Sequence, residues 1–176
     1  KRNMGSAVTP QIFHYAHGVS AIDSGYVRHL HAAIHFVVED GRVAIVDTGT
    51  NESLPRVIDA LEAMDLGVDS VDYVILTHIH LDHAGGAGAM MRAFPNARLV
   101  VHPRGARHMA DPSKLVAGAA AVYGANEVRR IGEILPIDAT RIVEAPHETR
   151  IDLAGRELLC LDTPGHARHH ICIVDR

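Results

Sequence analysis

The sequence of 176 residues contains no tryptophan, only two cysteines, no long apolar run and no run of basic residues. A membrane-spanning helix needs ~20 consecutive apolar residues, and the basic pair Lys1 and Arg2 is not followed by an apolar segment of the kind found in leader peptides. The formal net charge is -4, so nucleic acid is not an expected partner. We therefore expect a soluble, cytoplasmic protein, and nothing in the sequence excludes a homo-oligomer.

The remaining composition is that of an ordinary globular domain. Hydrophobic residues make up 47% of the chain and charged residues 22%, and the length suits one domain over residues 1–176. The two cysteines, Cys160 and Cys172, each lie within an apolar run with strand character. A free cysteine in such a run usually behaves as a small buried hydrophobe, so we expect two free, buried thiols.

Residue patterns predict a mixed α/β architecture. In the first fifty residues, short β-branched and aromatic runs alternate with glycine, which predicts an antiparallel meander with a tight hairpin turn at Asp40-Gly41. Apolar residues at helical spacing, with Pro55 at the start and Gly67 after the end, predict an amphipathic helix over residues 54–66. The other predicted helical pieces are 89–94, 114–123 and 127–135, and the predicted strands are 11–15, 19–22, 32–38, 43–46, 71–76, 98–101, 141–144, 149–153, 157–161 and 170–174.

Histidine is over-represented, with 14 copies against four tyrosines and three phenylalanines. Four of the potential metal ligands follow the predicted buried strand 71–76 directly: His78, His80, Asp82 and His83. If the chain stays extended there, the first three point to one side. His83 can join them only if the backbone turns, and the glycines that follow it permit a turn.

Imidazole nitrogens together with a carboxylate suit zinc, and also iron or manganese. A structural zinc site is usually closed and often rich in cysteine, whereas this cluster mixes His with Asp and has no cysteine nearby, so it indicates an open, catalytic site. The sequence contains no Gly-x-Ser-x-Gly elbow, phosphate-binding loop or Gly-x-Gly-x-x-Gly fingerprint. A serine hydrolase, a nucleoside triphosphatase and a dinucleotide oxidoreductase are therefore unsupported.

The order His-x-His-x-Asp-His resembles the signature of the metallo-β-lactamase superfamily, whose fold is a four-layered αβ/βα sandwich. Three further features are similar to that family: a strand over 43–46 that runs into Asp47, the helix and buried strand before the cluster, and the loop Thr163-Pro164-Gly165-His166. The resemblance implies zinc, one or two ions per chain, with iron or manganese as alternatives. It implies that His78, His80 and His166 hold a first ion and that Asp82 and His83 belong to a second.

The resemblance also implies supporting roles outside the ligand set for Asp47, Thr77 and His170. For Asp47 an ordinary Asx turn after a strand is an equally good interpretation, because Asp-Thr-Gly is favourable turn chemistry. His170 is expected to pack or to form hydrogen bonds. Eight other histidines match no motif and are expected not to be ligands: His14, His17, His29, His31, His35, His102, His108 and His147.

The sequence departs from the family pattern near its end. The family's bridging aspartate and last histidine lie beyond the strand that follows the third histidine, and Asp175 is expected to be a turn residue and not that bridging ligand. We therefore expect the sequence to be part of a longer polypeptide, with the C-terminal part of the sandwich missing.

The function implied by the resemblance is that of a metal-dependent hydrolase similar to glyoxalase II or to lactonases. A metal-bound hydroxide would attack the carbonyl of a small thioester, ester or lactone, and Asp82 would accept or relay the proton. Two alternatives remain open: a mononuclear iron sulfur (persulfide) dioxygenase, and a non-catalytic metal-binding or interaction domain.

Overall fold

The computed structural model of the chain describes residues 10–175, which form two β-sheets and a set of helices. The strands are β1 (Ile12–His14), β2 (Val19–Asp23), β3 (Ala33–Glu39), β4 (Arg42–Val46), β5 (Val71–Ile75), β6 (Arg98–Val101), β7 (Ile142–Glu144), β8 (Thr149–Leu153), β9 (Arg156–Asp162) and β10 (Ile171–Asp175). The α-helices are α1 (Leu54–Ala63), α2 (Leu81–Ala84), α3 (Ala87–Ala93), α4 (Pro103–Ala110), α5 (Ser113–Tyr123) and α6 (Ala125–Ile131). None of the helices within this range is both long and apolar enough to cross a lipid bilayer.

The larger sheet changes from antiparallel to parallel pairing at β4. Its seven strands follow the order of the chain, with β1 to β4 antiparallel and β4 to β7 parallel. The antiparallel half confirms the predicted meander. A helix-containing crossover separates each pair of parallel strands, as parallel pairing requires. The smaller sheet is antiparallel, in the order β10-β9-β8.

The two sheets pack face to face, and helices cover the other face of the larger sheet. Alternate residues of a strand point to opposite faces, so Phe36 of β3 packs in the helix-side core with Met90, whereas its neighbour Val37 packs between the sheets with Leu158. All four of these side chains are buried. Residues 10–175 thus form three layers of an αβ/βα sandwich, which confirms the predicted fold class.

Helix boundaries differ most from the sequence prediction. Helix α1 ends at Ala63, because Asp65 adopts a left-handed conformation with φ of 58° and the Leu66 N–H bonds to the Leu61 carbonyl at 2.9 Å. The predicted C-cap role of Gly67 is therefore wrong. Helix α4 was not predicted, although its signal is present: Pro103 opens the helix, and the side chain of the preceding His102 accepts the Arg104 N–H.

The cysteine prediction is half right. Both thiols are free, and Cys160 is buried between the sheets, where burial raises its pKa to about 11. Cys172 is exposed instead of buried. It lies on the edge strand β10, where its neighbour Ile171 occupies the inward position, so the thiol faces outward.

Arg156 joins the two sheets at the end of the sandwich opposite the histidine cluster. Its side chain, only 9% exposed, donates to the carboxylate of Asp175 through Nε (2.7 Å) and also through Nη2, to the His17 carbonyl (2.7 Å) and to Glu39 (3.2 Å). Asp175 is therefore the last residue of β10 and an ion-pair partner, and the predicted turn role is wrong.

We expect Arg156→Met to lower the free energy of unfolding by about 2–3 kcal/mol, because a backbone carbonyl and two carboxylates lose a charged donor. Chemical denaturation measures the loss. Arg150→Met is the matched control, since Arg150 also pairs with a carboxylate, Glu157, but is exposed. That control should change stability little. Equal losses for the two variants would contradict the inter-sheet role of Arg156.

Candidate metal centre

The candidate site lies where the parallel strands of the larger sheet end. Strands β4, β5 and β6 run in the same direction, so their carboxyl ends meet at one edge. The residues that follow β4 and β5 include Asp47 and Thr77, and the loop between β9 and β10 brings His166 to the same edge from the smaller sheet. Open α/β sheets characteristically place ligand sites at this edge.

Three imidazoles converge there. One ring nitrogen from each of His78, His80 and His166 lies within 4.8 Å of the others, and within residues 10–175 this is the one group of three or more His, Cys, Asp or Glu side chains arranged to hold a metal ion. The Nδ1 atom of His80 lies 3.0 Å from Nε2 of His166. Two nitrogens on one tetrahedral zinc ion, with bonds of ~2.0–2.1 Å, would be separated by roughly 3.3 Å.

The clearest indication that a cation fits comes from His78. Its Nδ1 lies 2.9 Å from the Thr77 hydroxyl, while its Nε2 is buried and has no hydrogen-bond partner among the described residues. An unpaired buried polar atom is costly, and a cation would satisfy it. Burial, and then the neighbouring imidazoles, lower the pKa of His78 to about 3 and also lower that of His80. Both rings are therefore neutral at physiological pH, which is the state that binds metals.

The carboxylate of Asp47 connects several groups beneath this cluster. It accepts hydrogen bonds from the Thr77 N–H (2.8 Å) and hydroxyl (2.8 Å), and it lies 2.8 Å from Nδ1 of His83. The backbone of Asp47 is left-handed, with φ of 63°, a conformation that costs energy in a residue other than glycine. These contacts favour a supporting role for Asp47 and Thr77 over a simple Asx turn.

Asp82 and His83 lie beside the three-histidine group but outside it. The chain does not stay extended, as predicted, to Asp82: α2 begins at Leu81, so Asp82 leaves the row of His78 and His80. The His83 Nε2 atom lies 3.4 Å from the Asp82 carboxylate. Burial lowers the pKa of His83, but the hydrogen bond to Asp47 and the charges of both carboxylates outweigh this, so its pKa is raised. Their assignment to a second metal ion stays a prediction.

The glycines after His83 have a different role from the predicted one. Gly85 and Gly86 have ordinary helical angles, so no special backbone conformation requires them. A Cβ atom at Gly86 would lie 2.6 Å from the Thr50 carbonyl oxygen and 2.9 Å from that of Thr48. Glycine is needed here because the segment after β4 passes close to α2.

Two histidines of the β9–β10 loop also approach the cluster. His170 lies 2.9 Å from the Thr163 hydroxyl, and its ring centroid is 5.3 Å from that of His78, in agreement with a hydrogen-bonding role. His169 was not predicted; its Nδ1 accepts the Ile79 N–H at 3.3 Å, and burial, followed by the charge of His80, lowers its pKa. The signal that could have found it is the adjacent His169-His170 pair three residues after His166.

The loop between β2 and β3 lies against α2. Tyr26 packs against a cluster that includes Leu81 of α2 and Val128 of α6, and its hydroxyl donates to Glu127 at 3.3 Å. Burial, and then the charge of Glu127, raise the pKa of this hydroxyl. The same loop exposes Val27 and Leu30. Tyr26 carries no motif, and only tertiary contacts reveal its position.

Comparisons with known proteins agree with one another. Residues 28–176 match the sequence model of the Metallo-beta-lactamase superfamily. The chain is 28% identical over 154 residues to a metallo-beta-lactamase fold-containing protein of Sulfurisphaera tokodaii, covering 84% of this chain and 59% of that protein. It is 32% identical over 133 residues to a hydroxyacylglutathione hydrolase of Shewanella baltica, covering 76% of this chain and 38% of that protein.

Solved structures are similar in fold. The Rm3 metallo-beta-lactamase superposes on the chain with a TM-score of 0.71 at 19% identity. The superposition covers 93% of this chain and 55% of the Rm3 chain. A subclass B3 metallo-beta-lactamase from a soil metagenome library gives a TM-score of 0.72 at 18% identity, covering 95% and 58%. The chain thus spans less than two thirds of the length of these relatives.

Proposed function

Because the chain belongs to the metallo-beta-lactamase superfamily, we propose that it is a metal-dependent hydrolase of small thioesters, esters or lactones, with zinc as its resident ion. The observation that carries this proposal is the convergence of His78, His80 and His166, with the Nε2 atom of His78 buried and without a partner in the described part of the chain. A nitrogen-rich set with an exposed member is typical of an open, catalytic zinc site.

The three histidines would hold the ion, and the ion would polarise a carbonyl oxygen and make water acidic enough to react near neutral pH. The chain supplies the orientation. The Thr77 hydroxyl, which is bonded to Asp47, lies next to Nδ1 of His78. If Nδ1 donates to that hydroxyl, Nε2 keeps its lone pair for the ion, a common arrangement around metal-bound imidazoles.

Asp82 is the proposed proton acceptor. Its side chain is 32% exposed and lies next to His83 at the edge of the cluster. A carboxylate at this position can take a proton from an attacking water molecule and pass it to the leaving group. The hydrogen bond between His83 and Asp47 keeps the His83 ring in place beside Asp82.

An acyl substrate fits the surroundings better than a polyanionic one. The net charge of -4 disfavours a nucleic acid. Relatives named hydroxyacylglutathione hydrolase support an acyl compound. Val27 and Leu30 are exposed on the loop that Tyr26 anchors beside α2, and these apolar side chains would suit an acyl group better than a charged one.

Metal analysis together with a substrate panel tests the proposal. We expect one or two zinc ions per chain and hydrolysis of at least one thioester, ester or lactone, with the activity lost on chelation and restored by zinc. One iron ion per chain with oxygen uptake on a persulfide would instead indicate a sulfur dioxygenase. Bound metal with no turnover of any acyl substrate would indicate a non-catalytic domain.

A further inference from the structure

Two hydrogen bonds donated by backbone N–H groups join the segment that carries His78 and His80 to the β9–β10 region. The Ile171 N–H donates to the Thr77 carbonyl at 2.8 Å, and the Ile79 N–H donates to Nδ1 of the His169 ring at 3.3 Å. The first is an ordinary bond between backbone groups. The second ends on a side chain.

The second bond stands where a backbone bond would be expected. Next to a bond between residues 171 and 77, an antiparallel ladder would join residues 169 and 79. The imidazole of His169 takes the place of the backbone acceptor there. The backbone of the loop is thereby released from regular pairing just where it leads back to His166.

The Ile79 N–H has good reason to be paired. It belongs to the peptide bond that follows His78, and the Ile79 side chain is only 2% exposed in the helix-side core. A backbone N–H that has no acceptor in such a place destabilises the folded protein. Pairing it also fixes the orientation of the peptide that joins His78 to Ile79, in the segment from which the rings of His78 and His80 reach the same site.

His169 itself lies beside the three-histidine group and outside it. Its ring centroid lies 5.9 Å from that of His80 and 6.4 Å from that of His78, and it is not part of the convergent set. Because a backbone N–H can only donate, Nδ1 must carry a lone pair, so the neutral ring holds its proton on Nε2. Any effect of His169 on the ion through this bond is therefore transmitted by the backbone.

We propose that His169 is a positioning residue of the metal centre, which holds the backbone between His78 and His80 by accepting the Ile79 N–H. This inference rests on the proposed function only in that the ion is taken to be zinc. The hydrogen bond itself is a property of the protein without metal, and it can be measured separately.

Three substitutions of His169 distinguish the role of Nδ1 from that of Nε2. In His169→Asn the amide oxygen can reach the position of Nδ1 and accept the same N–H, whereas His169→Gln places its amide near the position of Nε2, and His169→Ala removes both. Arg168→Ala, at the exposed neighbouring residue, is the control. Zinc affinity is measured by competition with a chromophoric chelator, and the Ile79 amide is followed by hydrogen exchange in the metal-free protein.

We expect the Ala and Gln variants to bind zinc about 10–100-fold more weakly, as for other losses of a group that supports a ligand. The Asn variant should stay within about threefold of the parent, because it keeps the acceptor. Exchange of the Ile79 amide should accelerate in the Ala and Gln variants and not in Asn or Arg168→Ala.

Unchanged zinc affinity and unchanged Ile79 exchange in all variants would overturn the proposal, and so would rescue by Gln but not by Asn, which would assign the role to Nε2. If the parent protein does not bind zinc, the proposed function fails. The exchange of Ile79 would still decide whether His169 holds this segment.

Discussion

Replacing His166 with alanine should weaken zinc binding by on the order of 10³-fold, because it removes one of three protein ligands and the total binding free energy of zinc, even in closed structural sites, is ~10–16 kcal/mol. His166 is exposed, so the fold should survive its loss, and circular dichroism checks this. Competition with a chelator of known affinity measures the effect. The loss of a ligand 86 positions away from His80 would establish that the two segments share one ion.

The matched control for this prediction is His14→Ala. His14 is an exposed histidine on the edge strand β1, outside the three-histidine group. Its replacement should leave zinc affinity unchanged. Retention of the parent affinity by His166→Ala would remove the basis for the proposed site, since His78 and His80 alone make an incomplete ligand set.

Asp82→Ala is expected to lower the rate of turnover by about 10²–10³-fold, the usual contribution of a positioned proton acceptor. Occupancy of the three-histidine site should stay close to that of the parent, because the Asp82 carboxylate lies outside that group. Steady-state kinetic assays measure the rate of turnover, and metal analysis of the same preparation measures the occupancy of the three-histidine site. If Asp82 transfers protons and does not bind the first ion, the loss of turnover should be much larger than the loss of metal.

Two further variants sharpen the Asp82 experiment. Asp82→Asn keeps the size of the side chain and removes the charge, so it should lose nearly as much activity as Asp82→Ala if proton transfer is the role. Glu62→Ala, at an exposed acidic residue of α1, should have no effect. If Asp82→Ala lost activity and the first ion to the same extent, Asp82 would be a ligand of that ion.

Much of the fold was predictable because its signals are local. The runs that form β2, β3 and β4 are apolar and rich in β-branched residues, and the Asp40-Gly41 turn has positive φ at both residues, as a tight hairpin requires. The end of α1 was not predictable from Gly67, because Asp65 takes the left-handed position and the pairing of Leu66 with Leu61 decides where the helix stops.

Helix α2 shows why part of the site was predicted wrongly. A four-residue helix has little stability of its own. It forms here because the His83 carbonyl accepts the Thr48 N–H at 2.8 Å and the Gly86 N–H bonds to the Gly49 carbonyl at 3.0 Å. Thr48 and Gly49 precede α2 by a helix and a strand, so the residue pattern near Asp82 does not indicate these hydrogen bonds.

Residue type and spacing were enough to identify the side chains of the site, which are the imidazoles at positions 78, 80 and 166 and the carboxylates at 47 and 82, and the strands that end beside them. These choices are local, because residue type and spacing along one segment are enough to express them. Three features emerge only in the folded chain: the 166 ring meets the other two, Nε2 of His78 is buried with no hydrogen-bond partner among residues 10–175, and His169 accepts the Ile79 N–H. Those features depend on the packing of the smaller sheet against the larger one, and such packing joins residues that are far apart in the chain.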